Sequence, residues 1–162
     1  MTEHGYATQE LINLMVTGRA SSNVIDGTND LGDGYIVKGL QERSEIGFLT
    51  LFEAYQYMQV GSFYKQPHLP IWIICSESHY SIMFSPNINL VRQPQLYNQF
   101  DLIYYDELAR QEEDIVLTCQ LGKFHGSNNL NEASEIVPPI DAVIRTKWAT
   151  AVISWNGREK IL

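Results

Sequence analysis

Hydrophobic positions follow a helical period near the start of the chain. Apolar side chains cluster between Thr8 and Thr17, and Thr8 as an N-cap with Gly18 as a stop signal predicts a first helix there. Over residues 45–59 the aromatic and aliphatic positions recur at spacings of three and four, which predicts a second helix whose aromatic stripe lies in the core. Residues 21–34 are rich in Gly, Asn, Asp and Ser, so we expect a surface loop between the two helices.

From residue 71 onward the pattern changes to short runs of β-branched and aromatic residues, which are typical of strands. The predicted strands cover residues 71–75, 80–84, 100–105, 115–119 and 151–155. Loops are expected at 86–99 and 120–137, a helical turn within 106–114, and a short helix from Pro138 to about Trp148. No repeat or linker is visible. The pattern therefore predicts an α+β fold, helices followed by an antiparallel sheet, in a single domain over residues 1–162.

Composition and charge exclude several classes of partner. The content of 44% hydrophobic and 19% charged residues is that of an ordinary globular protein. A net charge of −8, with lysines and arginines scattered along the chain, argues against nucleic-acid binding. No apolar run approaches the ~20 residues of a membrane helix, and the N-terminus has no signal-peptide pattern. Two cysteines are too few for a disulfide framework, so we expect an intracellular protein, cytoplasmic or nuclear.

One histidine stands apart from the others. His4, His68 and His125 lie in polar or proline-flanked stretches and are expected at the surface, whereas His79 opens a predicted strand after the polar turn Ser-Glu-Ser. A histidine fixed at a strand end is placed as a general base needs to be. The next strand along the chain ends at Asp106, whose carboxylate is a candidate to orient the imidazole and equally a candidate helix cap.

The nucleophile is harder to identify from the sequence. If the turn holds three residues, Cys75 lies directly across the hairpin from His79, which would resemble a dyad. A thiol in the middle of an apolar strand is nevertheless expected to be unreactive, and Cys119 is placed no better. No G-x-S-x-G elbow, metal-ligand spacing or EF-hand pattern is present, so we predict no serine hydrolase site, no metal and no cofactor.

Seven segments carry a resemblance to a known family: residues 5–24, 44–52, 60–61, 70–79, 100–106, 137–148 and 155–157. In this order they resemble the MINDY deubiquitinases, in the branch whose full-length members are numbered three and four, and particularly the fourth. The resemblance spans nearly all 162 residues. It implies the C-terminal, histidine-bearing part of a papain-like cysteine peptidase domain, hence an incomplete domain, acting on ubiquitin and polyubiquitin chains.

The resemblance also assigns roles to residues. His79, in the motif Cys-Ser-Glu-Ser-His, falls on the family's catalytic histidine, whereas Cys75 corresponds to a non-catalytic position. The family's cysteine and its preceding glutamine lie upstream, and nothing between Met1 and His79 matches them. The implied activity is cleavage of polyubiquitin joined through the lysine that marks proteins for degradation, with this chain inactive alone.

Two readings of the chain remain open. It is either part of a cysteine deubiquitinase, or a nonenzymatic ubiquitin-binding or regulatory module derived from one. The first reading predicts an apolar sheet face with unusually exposed Ile, Phe and Trp side chains. The coding sequence upstream of Met1 distinguishes the two.

Overall fold

A six-stranded sheet forms the centre of the computed structural model, which describes residues 7–122 and 137–160. The helices in these ranges are α1 (Gln9–Thr17), α2 (Leu51–Ala54), α3 (Ser62–Lys65), α4 (Asn89–Arg92) and α5 (Pro139–Lys147). The strands are β1 (Thr28–Asp30), β2 (Ile36–Lys38), β3 (Gly47–Thr50), β4 (Ile71–Ser76), β5 (His79–Phe84), β6 (Gln99–Tyr105), β7 (Ile115–Gln120) and β8 (Val152–Ser154). Two 3-10 turns lie at Pro94–Leu96 and Glu107–Ala109. The architecture is a mixed α/β one with a dominant sheet.

The sheet runs in the order β3-β4-β5-β6-β7-β8, so each strand pairs with the next one along the chain. All pairs are antiparallel except β3 and β4, which are parallel. The prediction of a purely antiparallel sheet is therefore wrong at this one edge. The parallel pair is possible because the segment between β3 and β4, which contains α2 and α3, carries the chain back to the start of the next strand.

The predicted helix over residues 45–59 is wrong. The first part of this segment is β3, and only Leu51–Ala54 is helical. Phe48 and Leu49 are 1% and 0% exposed and pack into two different cores, which a strand buried on both faces permits. The helical spacing of the aromatic residues is coincidental, because Phe52 and Tyr55 of the predicted core stripe are 38% and 39% exposed.

The first helix is confirmed in its bounds and its caps. The Thr8 side chain accepts a hydrogen bond from the Leu11 amide at 3.3 Å, as an N-cap does. Gly18 ends the helix with φ 73°, a left-handed conformation in which glycine carries no steric cost. The predicted loop over residues 21–34 instead contains β1, which pairs with β2 in a small exposed hairpin.

Each face of the sheet has its own core. On one face α5 packs over side chains of the central strands, including Trp72, Ile74, Met83, Leu102 and Leu117. On the other face α1 packs over Phe48, Tyr64 and Cys75. Further along that second face, Ile82 and Tyr105 are 41% and 43% exposed. The expected exposure of tryptophan is wrong, because Trp72 and Trp155 are buried and Trp148 is partly buried.

The end of α5 carries a lysine that lies over two indole rings, which contact each other. The Lys147 ammonium lies 5.3 Å from the Trp72 ring centroid and 4.8 Å from that of Trp148, and it donates to the Lys65 carbonyl oxygen. Burial, with the nearby cations of Lys65 and Arg43, lowers the pKa of Lys147 to about 8. The charged amine is therefore held at a cost that the two rings partly offset.

Candidate active site

His79 is the first residue of β5 and lies directly after a tight turn. It pairs with Ser76 at the end of β4, so the connecting loop holds the two residues Glu77 and Ser78. Glu77 takes the left-handed conformation with φ 56°, which makes so short a connection possible. The predicted three-residue turn is therefore wrong, and the pairing across the hairpin is shifted by one residue.

Asp106 follows the end of β6, the strand next to β5, and its carboxylate reaches the histidine. His79 Nε2 and Asp106 Oδ2 are 2.8 Å apart. The other oxygen, Oδ1, accepts a hydrogen bond from the Leu108 amide at 3.0 Å and so caps the turn Glu107–Ala109. The two alternatives left open by the sequence are both present in one carboxylate, which contacts the imidazole and caps the turn.

This contact assigns the two imidazole nitrogens different states. A carboxylate only accepts hydrogen bonds, so Nε2 carries the hydrogen and the neutral ring has its lone pair on Nδ1. The His79 side chain is 36% exposed, whereas that of Asp106 is 10% exposed. The acceptor is thus shielded and the imidazole is open to a reacting group, as a positioned base requires.

A cleft of about 260 Å³ lies beside the pair. Its lining joins the β4–β5 turn to α2 and to the start of α5, and it consists of Leu51, Ser76, Glu77, His79, Tyr104, Asp106, Pro139 and Ile140. The wall is therefore apolar on the helix side and polar on the strand-end side. A peptide-like group entering this cleft would meet the imidazole in its lining.

Two further side chains hold Asp106, and the sequence interpretation missed both. The buried Tyr104 hydroxyl donates to Asp106 Oδ2 at 3.5 Å, and burial is the main cause that raises the pKa of Tyr104. The side-chain carboxamide of Gln111 donates to the Tyr104 carbonyl oxygen and accepts from the Asp106 backbone amide, the groups on either side of Tyr105. Tyr104 was detectable in principle, because it lies two residues before Asp106 on the same face of β6. Gln111 gave no signal, since its partners are backbone groups.

Cys75 lies on the opposite face of the hairpin from His79. It pairs with Tyr80, and its side chain packs in the core beneath α1 with Phe48 and Tyr64. The thiol is 5% exposed, and burial raises its pKa. The dyad of Cys75 with His79 is therefore excluded, because neighbouring positions on a strand point to opposite faces.

Cys119 is equally unsuited to attack a substrate. It is fully buried in β7, and burial together with the charge of Asp141 raises its pKa to about 12. The chain has no other cysteine. Neither thiol of this chain meets the requirement of an exposed, readily ionised nucleophile.

The described residues include one of the three other histidines and bear on the predictions about metal ions and membrane helices. His68 is exposed, as expected of a surface histidine, and His4 and His125 lie outside the described residues. In the part of the chain that the structure describes, no group of three or more His, Cys, Asp or Glu residues is arranged to hold a metal ion. Within the same residues, no helix has the length and hydrophobicity to cross a membrane.

Comparison with known proteins identifies a matching family and several similar proteins. Residues 1–157 match the sequence model of the family described as "Deubiquitinating enzyme MINDY-3/4, conserved domain". The chain is 49% identical to the probable ubiquitin carboxyl-terminal hydrolase MINDY-4 of Mus musculus and 48% identical to that of Homo sapiens, over 98% of this chain in both cases. It is 47% identical to the ubiquitin carboxyl-terminal hydrolase MINDY-3 homolog of Drosophila melanogaster over 54% of this chain.

The relatives are much longer than this chain. The alignments cover 22% of the Mus musculus protein, 21% of the Homo sapiens protein and 16% of the Drosophila melanogaster protein. No solved structure matches the chain. The family match nevertheless covers nearly the whole sequence, so the chain belongs to the MINDY-3/4 family of deubiquitinating enzymes.

Proposed function

We propose that this chain supplies the histidine-bearing part of a papain-like, cysteine-type deubiquitinase site, with His79 as general base and Asp106 as the residue that orients it. The contact of 2.8 Å between Nε2 and Oδ2, both in the lining of the cleft, supports the proposal most directly. The imidazole is held by one nitrogen and offers the other to a reactant, which is the division of roles that base catalysis needs.

The nucleophile is a cysteine of polypeptide outside these 162 residues. Both cysteines of the chain are buried, and their raised pKa values disfavour the thiolate. The curated relatives are more than four times as long as the part they share with this chain, so they have room for such a segment. The chain alone is then inactive, and its contribution is the base and part of the cleft wall.

The reaction is acyl transfer between ubiquitin units. His79 Nδ1 takes the proton of the cysteine thiol, and the thiolate attacks the isopeptide carbonyl carbon. The carbon–nitrogen bond breaks as His79 returns the proton to the leaving lysine amine. Water, deprotonated by the same imidazole, then hydrolyses the thioester and frees the ubiquitin carboxylate. Asp106 accepts from Nε2–H throughout and stabilises the imidazolium that forms in each half-reaction.

The substrates proposed are polyubiquitin chains joined through the lysine that signals degradation, in the cytoplasm or nucleus. The relatives are named ubiquitin carboxyl-terminal hydrolases, which supports ubiquitin as the substrate class. Lys-linkage preference rests on the family resemblance alone. It is tested by offering chains of each linkage to a protein that contains this chain and its upstream coding region.

The decisive experiment joins this chain to the segment encoded upstream of Met1. If an in-frame segment with a Gln–Cys motif is present, the longer protein should hydrolyse polyubiquitin, and His79→Ala should lower kcat by ~10²–10⁴-fold. His68→Ala, which removes an exposed histidine, is the matched control and should leave the rate unchanged. Full activity of the His79→Ala variant would refute the proposed base.

A second experiment tests whether the 162-residue chain contains a nucleophile of its own. Ubiquitin with an electrophilic C-terminus should form no covalent adduct with the purified chain. An adduct that disappears in Cys75→Ala would show that the nucleophile lies within this chain and would overturn the proposal.

The alternative function is a nonenzymatic module that binds ubiquitin. The burial of both cysteines favours it, because a chain with no reactive thiol can still bind. It predicts that no in-frame cysteine segment precedes Met1 and that ubiquitin binding to the chain is unaffected by His79→Ala.

A further inference from the structure

One glutamine ties the segment after β6 back onto that strand. Gln111 Nε2 donates to the Tyr104 carbonyl oxygen at 3.1 Å, and Gln111 Oε1 accepts from the Asp106 amide. These two backbone groups flank Tyr105 and point to the same side of the strand. The carboxamide thus makes the pair of hydrogen bonds that the N–H and C=O groups of one residue in a neighbouring parallel strand would make.

The tie acts on the residue that contacts the histidine. Asp106 is extended, with φ −132° and ψ 109°, and lies just past the last paired residue of β6. Arg110 turns the chain with φ 47°, which lets Gln111 reach back to Asp106. Without the carboxamide, the Asp106 amide would lose its hydrogen bond to the segment that follows the turn. The backbone of Asp106 would then be held locally by the bond from the Ala109 amide to its carbonyl oxygen, at 3.2 Å, and by the side-chain cap to Leu108.

The carboxylate itself is restrained from a second direction. The buried hydroxyl of Tyr104 faces Asp106 Oδ2, the same oxygen that accepts from His79 Nε2. Tyr104 therefore aligns the carboxylate, whereas Gln111 aligns the backbone that carries it. The two contacts are independent, because one uses the Tyr104 side chain and the other its carbonyl group.

We propose that Gln111 is a positioning residue of the candidate site, which fixes the backbone of Asp106 and through it the orientation of the His79 imidazole. The catalytic meaning of this role rests on the proposed deubiquitinase function. The positioning itself is a property of the present chain and is measurable without a nucleophile. It also explains why a partly buried glutamine lies in an otherwise exposed acidic turn.

The test uses the purified chain with ¹⁵N-labelled histidine. In the wild type, the Nε2–H hydrogen of His79 should be observed by NMR and exchange slowly, because it donates to a shielded carboxylate. Gln111→Met keeps the length of the side chain and removes both hydrogen bonds, so we expect roughly tenfold faster exchange of that hydrogen. Gln95→Ala, at an exposed glutamine in the turn Pro94–Leu96, is the control and should leave it unchanged.

The melting temperature of Gln111→Met distinguishes positioning of the imidazole from a general contribution to stability. Exchange that accelerates at His79 while the melting temperature stays close to wild type supports positioning. Exchange within twofold of wild type in Gln111→Met overturns it. If the variant does not fold, the wild type decides the matter, because an Asp106 amide that exchanges as fast as a free loop amide would equally overturn the proposal.

These outcomes are distinguishable from failure of the proposed function. A chain in which Gln111→Met frees the imidazole, but whose longer form never cleaves polyubiquitin, retains the positioning role and loses the enzymatic one. If the longer form cleaves polyubiquitin but Gln111→Met leaves the imidazole unchanged, the enzymatic function is retained and the positioning role of Gln111 is lost.

Discussion

Replacement of Lys147 by methionine should change how the stability of the protein depends on pH. The folded state holds this amine over the Trp72 and Trp148 rings with a pKa lowered to about 8 from its ordinary 10.5. Between those two values the unfolded chain binds more protons than the folded one. Raising the pH through this window therefore stabilises the folded state, and this contribution is absent from Lys147→Met.

The size of the effect follows from the two pKa values. Each pH unit in which only the unfolded state is protonated is worth about 1.4 kcal/mol. From pH 7 to pH 9.5, the free energy of unfolding of the wild type should rise by about 2 kcal/mol relative to Lys147→Met. Tyrosines and cysteines titrate in the same range, but they are present in both proteins and cancel in the difference.

The assay is guanidinium unfolding at several pH values, followed by tryptophan fluorescence and far-UV circular dichroism. Lys38→Met, at an exposed lysine of the β1–β2 hairpin, is the matched control and should show no such trend. A difference between wild type and Lys147→Met that stays constant from pH 7 to 9.5, or that falls, would refute the reasoning.

Three further outcomes are expected from the packing. Trp155→Phe removes the indole donor that bonds Asp141 Oδ1 at 2.8 Å and should lower the free energy of unfolding by ~2 kcal/mol, because that carboxylate is buried; unchanged stability in urea would contradict this. Gly61→Ala places a Cβ 2.2 Å from Asp26 Oδ1 and 2.6 Å from the Asp26 amide nitrogen and should cost ~2 kcal/mol in the same measurement, whereas a neutral result would mean that both the carboxylate and the backbone of Asp26 move freely. Both thiols should react with a disulfide reagent at least ~100-fold more slowly in the native than in the unfolded chain, and a fast native phase would argue against their burial.

The sheet was predictable because its strands bury apolar side chains in short bounded runs. Each predicted strand from residue 71 to 119 lies within one or two residues of an observed one. The β1–β2 hairpin was not predictable in this way, since its positions are exposed and its backbone pairs leave no hydrophobic pattern. The segment at Phe48 misled for the opposite reason. A strand buried on both faces has no alternation of apolar and polar residues, so nothing in the sequence of β3 indicated a strand. The chance helical spacing of the aromatic residues in this segment was then the stronger signal.

The site was predictable where it depended on strand ends. Adjacent antiparallel strands bring the start of one and the end of the next to the same edge, which is why His79 and Asp106 meet. The exact pairing across the hairpin was not predictable, because the turn has no glycine or asparagine to mark its left-handed position and Glu77 takes that conformation. The contribution of Gln111 was invisible, since any side chain with a terminal amide can bond backbone groups.

The double use of the Asp106 carboxylate has a consequence for how the site can be observed. One oxygen binds the imidazole and the other binds the Leu108 amide, so the two bonds share a single group. Thermodynamic linkage is reciprocal, so any effect of a ligand at the imidazole on the bond to the Leu108 amide equals the effect of that bond on the affinity for the ligand. The Leu108 amide is therefore a built-in reporter. Its exchange rate should register occupancy of the cleft in the unlabelled, unmutated protein.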